Sequence, residues 1–250
     1  MVLNYKGIDY KTEWIEYPDL ASTFKSFGLP PNDPSGTGFF MPYTAPAIRF
    51  EDGKVMMDSW QQAHGNWMIL DLLSNDPNAT IEIERRYPSP PLHLDDPIVI
   101  KVRDELPNIT GPLMPEMIPK VSRNLLNKPS YDYYERTRND RFGMPLRQFE
   151  QEKGGEQVWE AVKQPAKEFA DLLNKNGGPF FKGETGKSTL LNYADKADHL
   201  EVTYADFIFV SFLQFLKRVD EEALFKRFLD LDPAFPKIYD ASKEWLQKDD

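Results

Sequence analysis

VTYADF, residues 202–207, reads as the start of a helix and organises much of what surrounds it. Thr203 and Asp206 stand three apart. The Thr203 hydroxyl can accept the Asp206 amide proton while the Asp206 carboxylate accepts from the backbone of Thr203, so two donors that a helix start leaves unpaired are satisfied together. Val202 and Phe207 flank this capping box and can close a hydrophobic staple. Phe207, Ile208, Val210, Phe212, Leu213 and Leu216 then make the segment apolar over most of its circumference. A helix apolar all round needs neighbours on every side, so residues 203–218 are predicted to form a central, buried helix.

Upstream of the box, 175–202 is long for a connection inside a helical domain, and such loops are uncommon unless they have a function. It contains KGETGKSTLL, residues 182–191, which has the Gly-Lys-Ser-Thr ending of a phosphate loop. The full motif needs a glycine five positions before the Gly-Lys pair, and counting back from Gly186 reaches Phe181. The flanks fail too, because the stretch follows a helix instead of a buried strand. No nucleotide cofactor is expected.

Further outward, helical periods cover 98–106, 113–126, 131–152, 156–174, 222–231 and 235–246, with no strong strand after residue 97. The first part of the chain differs. MVLNY (1–5) followed by Gly7 resembles the last turns of a helix, too short to be stable alone. Residues 9–17 alternate as a half-buried strand. A helix over 20–27 closes at Gly28, and 45–50 and 54–59 form two strands joined at Glu51-Asp52-Gly53. Helical patterns return at 59–70 and 81–87. PSPPLHLDDP (88–97), with four prolines, is the linker. The organisation is α/β followed by all-α, with domains at 1–88 and 98–250 and a linker at 89–97.

Forty acidic against thirty basic side chains give a formal charge of -10, so the average surface repels a phosphate backbone and nucleic acid is not expected as a partner. With no cysteine there is no disulfide, thiolate metal site or cysteine nucleophile. The histidines at 64, 93 and 199 lack metal-ligand spacing, so no metal is expected. No run approaches the roughly 20 apolar residues of a membrane span, and the start lacks a signal-peptide pattern, which points to a cytoplasmic protein with no membrane partner.

Three short motifs in order, YTAPAI (43–48), MMDSW (56–60) and TYADF (203–207), resemble the soluble glutathione transferases. LNYKGIDYKTEWIEYPDL, ERRYPSPPLHLDDP, YERTRNDRFGMPL and FLDLDPAFPKIYDASKEWL are similar to the fungal branch related to bacterial β-etherases. The resemblance implies a thioredoxin-like N-terminal domain and a helical transferase C-terminal domain. Measured against that family, the chain begins inside the first helix and carries additional residues at about 61–80 and 183–202.

The resemblance also implies a site, with glutathione as co-substrate. Ala45, before Pro46, would offer its backbone to the cysteinyl part of glutathione. Ser59 would hold the γ-glutamyl carboxylate, Asp58 its ammonium group, and Lys25 the glycine carboxylate. Tyr131, Tyr134 and Arg138, with Tyr133 beside them, would line the pocket for a small hydrophobic electrophile. The family's sulfur-activating serine would lie upstream of Met1, so no catalytic residue is named. The expected function is a detoxifying transferase, homodimeric, that conjugates glutathione or cleaves with it. The competing expectation is a non-catalytic ligand-binding protein of the same fold.

Overall fold

A computed structural model describes residues 1–31, 42–57, 77–185 and 199–247. Its centre is α9 (Tyr204–Val219), capped by the Thr203–Asp206 box, with twelve of its sixteen residues buried. Phe209 is fully buried and sits in a lattice of rings, with Phe169 at 5.2 Å, Phe235 at 5.4 Å, Phe181 at 5.9 Å and Phe228 at 6.3 Å. Burying one such side chain is worth about 1.5–3 kcal/mol, and edge-to-face pairs add to it. Phe181, where a phosphate loop would need glycine, is therefore a core residue, and its N–H donates to Asp206 Oδ1 at 2.9 Å.

Around α9 pack α4 (Pro97–Glu105), α5 (Pro107–Leu125) and α10 (Ala234–Ala241). The sequence period predicts α5 only from 113, yet it starts at Pro107. Leu106 keeps helical angles between α4 and α5, and Pro107 occupies a first-turn position where no amide hydrogen is needed. Pro112, Pro115 and Pro119 lie inside α5, three and four residues apart and hence along one side. Each removes a backbone hydrogen bond, but Pro115 and Pro119 are buried, so their rings add core contacts where the hydrogen bonds are missing.

The expected single helix over 131–152 is two, α6 (Lys128–Phe142) and α7 (Leu146–Lys153). Gly143 stops the first in the left-handed region at φ 68, its N–H donating to Asn139 O, and Pro145 follows. Phe142 and Phe149 stack across the break at 4.2 Å. Next comes α8 (Glu156–Asn174), packed on α5. The helical half also holds a two-residue antiparallel ladder, β3 (Glu184–Thr185) with β4 (His199–Leu200), too short for an alternation pattern to announce. After α9, Asp220 caps a π-helical turn (Glu221–Lys226) by accepting from Ala223 N, and a 3-10 turn (Lys243–Leu246) follows α10.

At the other end, α1 (Val2–Tyr5) docks on the C-terminal turn. The Tyr5 ring meets Phe207 at 5.0 Å and Trp245 at 5.2 Å, and Asn4 donates to Trp245 O. That tertiary contact is what a four-residue helix requires. The strand expected over 9–17 carries no ladder among the described residues. Glu13 reaches Arg49 at 3.9 Å, but alternation without a backbone partner does not make a strand. A 3-10 turn (Tyr17–Asp19) leads into α2 (Leu20–Ser26). β1 (Ala47–Arg49) pairs antiparallel with β2 (Val55–Met57) across the Gly53 turn, Ala47 opposite Met57. α3 (Pro77–Arg86) begins earlier than its apolar period suggests, again on a proline. Its Arg86 lies 4.1 Å from the Phe50 ring centroid and bonds Asp52 at 2.7 Å, which ties it to the hairpin. The helical pattern over 59–70 and most of the two additional stretches lie outside the described residues.

The linker is stitched from both sides. Lys6 Nζ, its side chain fully buried, donates to Tyr87 O at 2.7 Å and Pro90 O at 2.8 Å and pairs with Glu84 at 2.6 Å. Leu92, also fully buried, accepts from Tyr204 N at 2.8 Å. His93 adopts φ 51 in the turn that precedes α4, and the Asp96 carboxylate caps that helix at Ile98 N.

Candidate functional site

The residues singled out in the sequence fall into two groups that meet at Tyr17. The first is built on α2 and the hairpin. Leu20, Phe24, Tyr43 and Met57 form a small separate core, with Ile15, Tyr17 and Ala47 packed on it. Thr44 N–H points to Met57 Sδ at 3.3 Å, which holds the turn before β1 against β2. Ala45 and Pro46 follow in that turn. Both are exposed, and their peptide bond is cis. Lys25 is exposed on α2, with Nζ 5.7 Å from the Tyr43 ring centroid. Asp58 and Ser59, immediately after β2, lie outside the described residues.

The second group is on α6. Asn127 and Ser130 sit at its start and both donate to the Glu16 carboxylate, Asn127 Nδ2 at 2.9 Å and Ser130 through a short hydroxyl bond. Ser130 Oγ in turn accepts from Tyr17 N at 2.8 Å. The Ser130 bond, then the Asn127 bond, hold the Glu16 carboxyl below its ordinary value, so it is an ionised bracket fixing Tyr17 against α6. The Tyr17 ring stacks on Tyr133 at 6.2 Å, 8° from parallel, and lies 5.7 Å from Tyr134. The Arg138 guanidinium sits 4.0 Å from the Tyr134 ring centroid and 5.7 Å from that of Tyr17.

Tyr134 is 1% exposed and Arg138 7%. Burial pushes the Tyr134 phenol well above its ordinary 10, so it keeps its proton at neutral pH. Tyr131 stands apart. At 37% exposed it joins no described ring contact, although it shares the helical spacing of Tyr134 and Arg138. Tyr17 and Glu16, absent from the sequence-based set of site residues, are the two that bring the groups together. More than a hundred residues separate them from α6, and no spacing rule reaches that far.

Elsewhere, a wide, shallow hollow of about 550 Å³ between α5 and α8, lined in part by Asn108, Pro112, Gln164 and Glu168, shares no residue with either group. Among the described residues no cluster of histidine and carboxylate side chains could hold a metal ion, and no helix is long and apolar enough to cross a membrane.

Residues 105–234 match the family model described as glutathione S-transferase, C-terminal domain. The glutathione S-transferase-like protein ustS of Aspergillus flavus is 28% identical over 99% of this chain and 82% of its own length. Among solved structures, glutathione transferase GSTFuA2 from Phanerochaete chrysosporium superposes with TM-score 0.72 at 25% identity, covering 99% of this chain and 88% of the other. A glutathione S-transferase of Ceriporiopsis subvermispora, solved in complex with glutathione, gives TM-score 0.73 at 25% identity, covering 99% of this chain and 89% of the other.

Proposed function

Because the chain belongs to the glutathione S-transferase family, we propose that it binds glutathione along the Ala45–Pro46 turn and presents the thiolate to a small hydrophobic electrophile held on the α6 side of Tyr17. The observation that carries this reading is the exposed turn at the entrance of β1, with Lys25 nearby beside the Tyr43 ring. A neighbour of the same fold was solved with glutathione bound. In this reading Ala45 offers backbone hydrogen bonds to the cysteinyl unit and Lys25 pairs with the glycine carboxylate. Ser59 and Asp58 take the γ-glutamyl carboxylate and ammonium. Residues 1–88 form the glutathione-binding domain, 89–97 the linker and 98–250 the helical domain. The protein works as a cytoplasmic homodimer with a detoxifying role.

The chemistry asked of the site is modest. A thiol of ordinary pKa near 8.5 is a few per cent ionised at neutral pH, and donors that stabilise the thiolate raise that fraction. The sulfur lone pair bonds the electrophilic carbon and the leaving group departs with its electron pair. Where a second glutathione thiolate then attacks the thioether sulfur, the carbon–sulfur bond breaks with its electron pair on carbon, which takes a proton from water, so the products are glutathione disulfide and the reduced substrate and the two reactions share the first step.

The test is retention on immobilised glutathione together with turnover of chlorodinitrobenzene. Retention with turnover supports a transferase, and retention alone makes the chain a glutathione-fold ligand-binding protein. Absence of both overturns the reading. Lys25→Ala is expected to weaken glutathione binding about threefold to tenfold, the size of one exposed charge-assisted contact.

A further inference from the structure

Tyr17 is where the two cores of the protein meet. Of the described apolar residues packed on the small core of Leu20, Phe24, Tyr43 and Met57, it alone also packs on the main core. The hairpin reaches the main core elsewhere, through Ile48 and Phe50, and there Arg86 adds its bond to Asp52. At Tyr17 the polar bonds are those of Glu16 and Ser130. Ser130, 4% exposed, accepts from Tyr17 N at 2.8 Å and donates to Glu16 Oε2, while Glu16 Oε1 accepts from Asn127 Nδ2 at 2.9 Å. The 3-10 turn that starts at Tyr17 runs directly into α2, which carries Lys25, and the Phe24 ring of α2 lies 6.4 Å from that of Tyr43, two residues before Ala45. Placing Tyr17 therefore places α2 and the turn together.

We infer that Glu16 is a positioning residue: by tying Tyr17 to α6, its carboxylate sets how α2 and the Ala45–Pro46 turn stand against the helical half, and so aligns the glutathione sulfur with the second substrate. The kinetic part of this inference rests on the transferase reading. A carboxylate has two acceptor oxygens and no hydrogen, so one group takes the bonds of both Asn127 and Ser130 and leaves the Ser130 oxygen free to accept from Tyr17 N. A glutamine in its place offers one oxygen and turns an NH2 towards a donor. The tripeptide contacts assigned to Ala45 and Lys25 lie on one side of the joint, so loosening it leaves those contacts in place and disturbs their distance to a substrate held on the other side. Rate is sensitive to that distance, since a misplacement of about 1 Å can cost about a hundredfold.

Turnover of chlorodinitrobenzene and isothermal titration with glutathione, on the full chain and on Glu16→Gln, test it. At saturating glutathione, kcat/KM for chlorodinitrobenzene should fall about tenfold to a hundredfold in the variant, with glutathione affinity kept within about twofold. A glutathione affinity that falls as far as turnover marks a merely structural role and overturns the inference. Ser130→Ala should act in the same sense. The double variant should be no more than about twofold worse than the more severe single one, because the two residues work as a unit, and effects that multiply overturn the inference as well.

Hydrogen exchange reads the joint without turnover. In Glu16→Gln the amides of 20–27 and 42–46 should exchange about threefold faster than in the wild type, with those of α9 unchanged. Equal exchange throughout, or acceleration that includes α9, overturns the inference. If the wild type neither binds glutathione nor turns over chlorodinitrobenzene while this exchange pattern holds, the transferase reading fails and the placement of α2 and the turn by Glu16 stands. If the wild type turns over and Glu16→Gln matches it, the inference fails alone.

Discussion

Replacing Asp206 by asparagine tests the centre of the fold through its pH dependence. The carboxylate is fully buried and accepts from Thr203 N at 2.8 Å, Phe181 N at 2.9 Å and Thr203 Oγ1 at 3.1 Å. Burial outweighs these bonds and raises its pKa from 3.8 to about 6. The native state therefore holds the proton more tightly than the unfolded chain. Its contribution to stability is full below about pH 3.8 and is lost as pH rises through about 6.

Between pH 7.5 and pH 5 that linkage amounts to RT ln 10, about 1.4 kcal/mol gained on acidification. Asn has no such titration. At pH 7.5 Asp206→Asn should still cost about 1–3 kcal/mol, because the amide nitrogen cannot accept from the donor facing it. The gap between wild type and variant should then widen by about 1.4 kcal/mol at pH 5. Urea unfolding of both proteins at the two pH values measures it. A gap that stays constant, or that narrows with acid, would refute the claim that burial controls this carboxyl.

Phe209→Ala should cost about 3–5 kcal/mol in the same assay, whereas Tyr131→Ala, on an exposed face, should stay within about 0.5 kcal/mol. Lys6→Met leaves two carbonyls and Glu84 without their shared donor at a buried position, so a loss of about 3 kcal/mol and a lower Tm in calorimetry are expected. Gly183→Ala would set a Cβ 2.3 Å from Asn176 O at φ 74, and a loss of at least about 1 kcal/mol should appear on denaturation.

The helical half was largely legible because its signals are local. The Thr203–Asp206 box, the all-round apolar face after it and the 156–174 period each lie within a few turns of chain, and α8 has the predicted bounds. Errors arose where proline and glycine act against period. Pro107, Gly111 and Pro112 broke the period over the first turns of α5, and Gly143 followed by Pro145 divided a pattern that ran on without interruption. Residues 9–17 have the alternation of a strand, but pairing depends on a neighbour that alternation does not encode. The same limit applies to the site. Spacing put Tyr131, Tyr134 and Arg138 on one face of α6, while only the tertiary fold shows that Tyr17 covers the last two and leaves Tyr131 in solvent.

The stitched linker has a consequence for how a ligand is received. Lys6 reaches across from the first helix to two linker carbonyls, and the first amide of α9 reaches back to a third, so the angle between the two halves is set by buried bonds. Closing the halves around a guest would mean breaking them. The two halves thus keep a fixed angle, so a ligand received between or beside them meets no closure step that would reduce its affinity, and selectivity rests on shape and charge already in place. Rapid mixing with a bound ligand should accordingly show a single concentration-dependent association phase with no slower isomerisation after it.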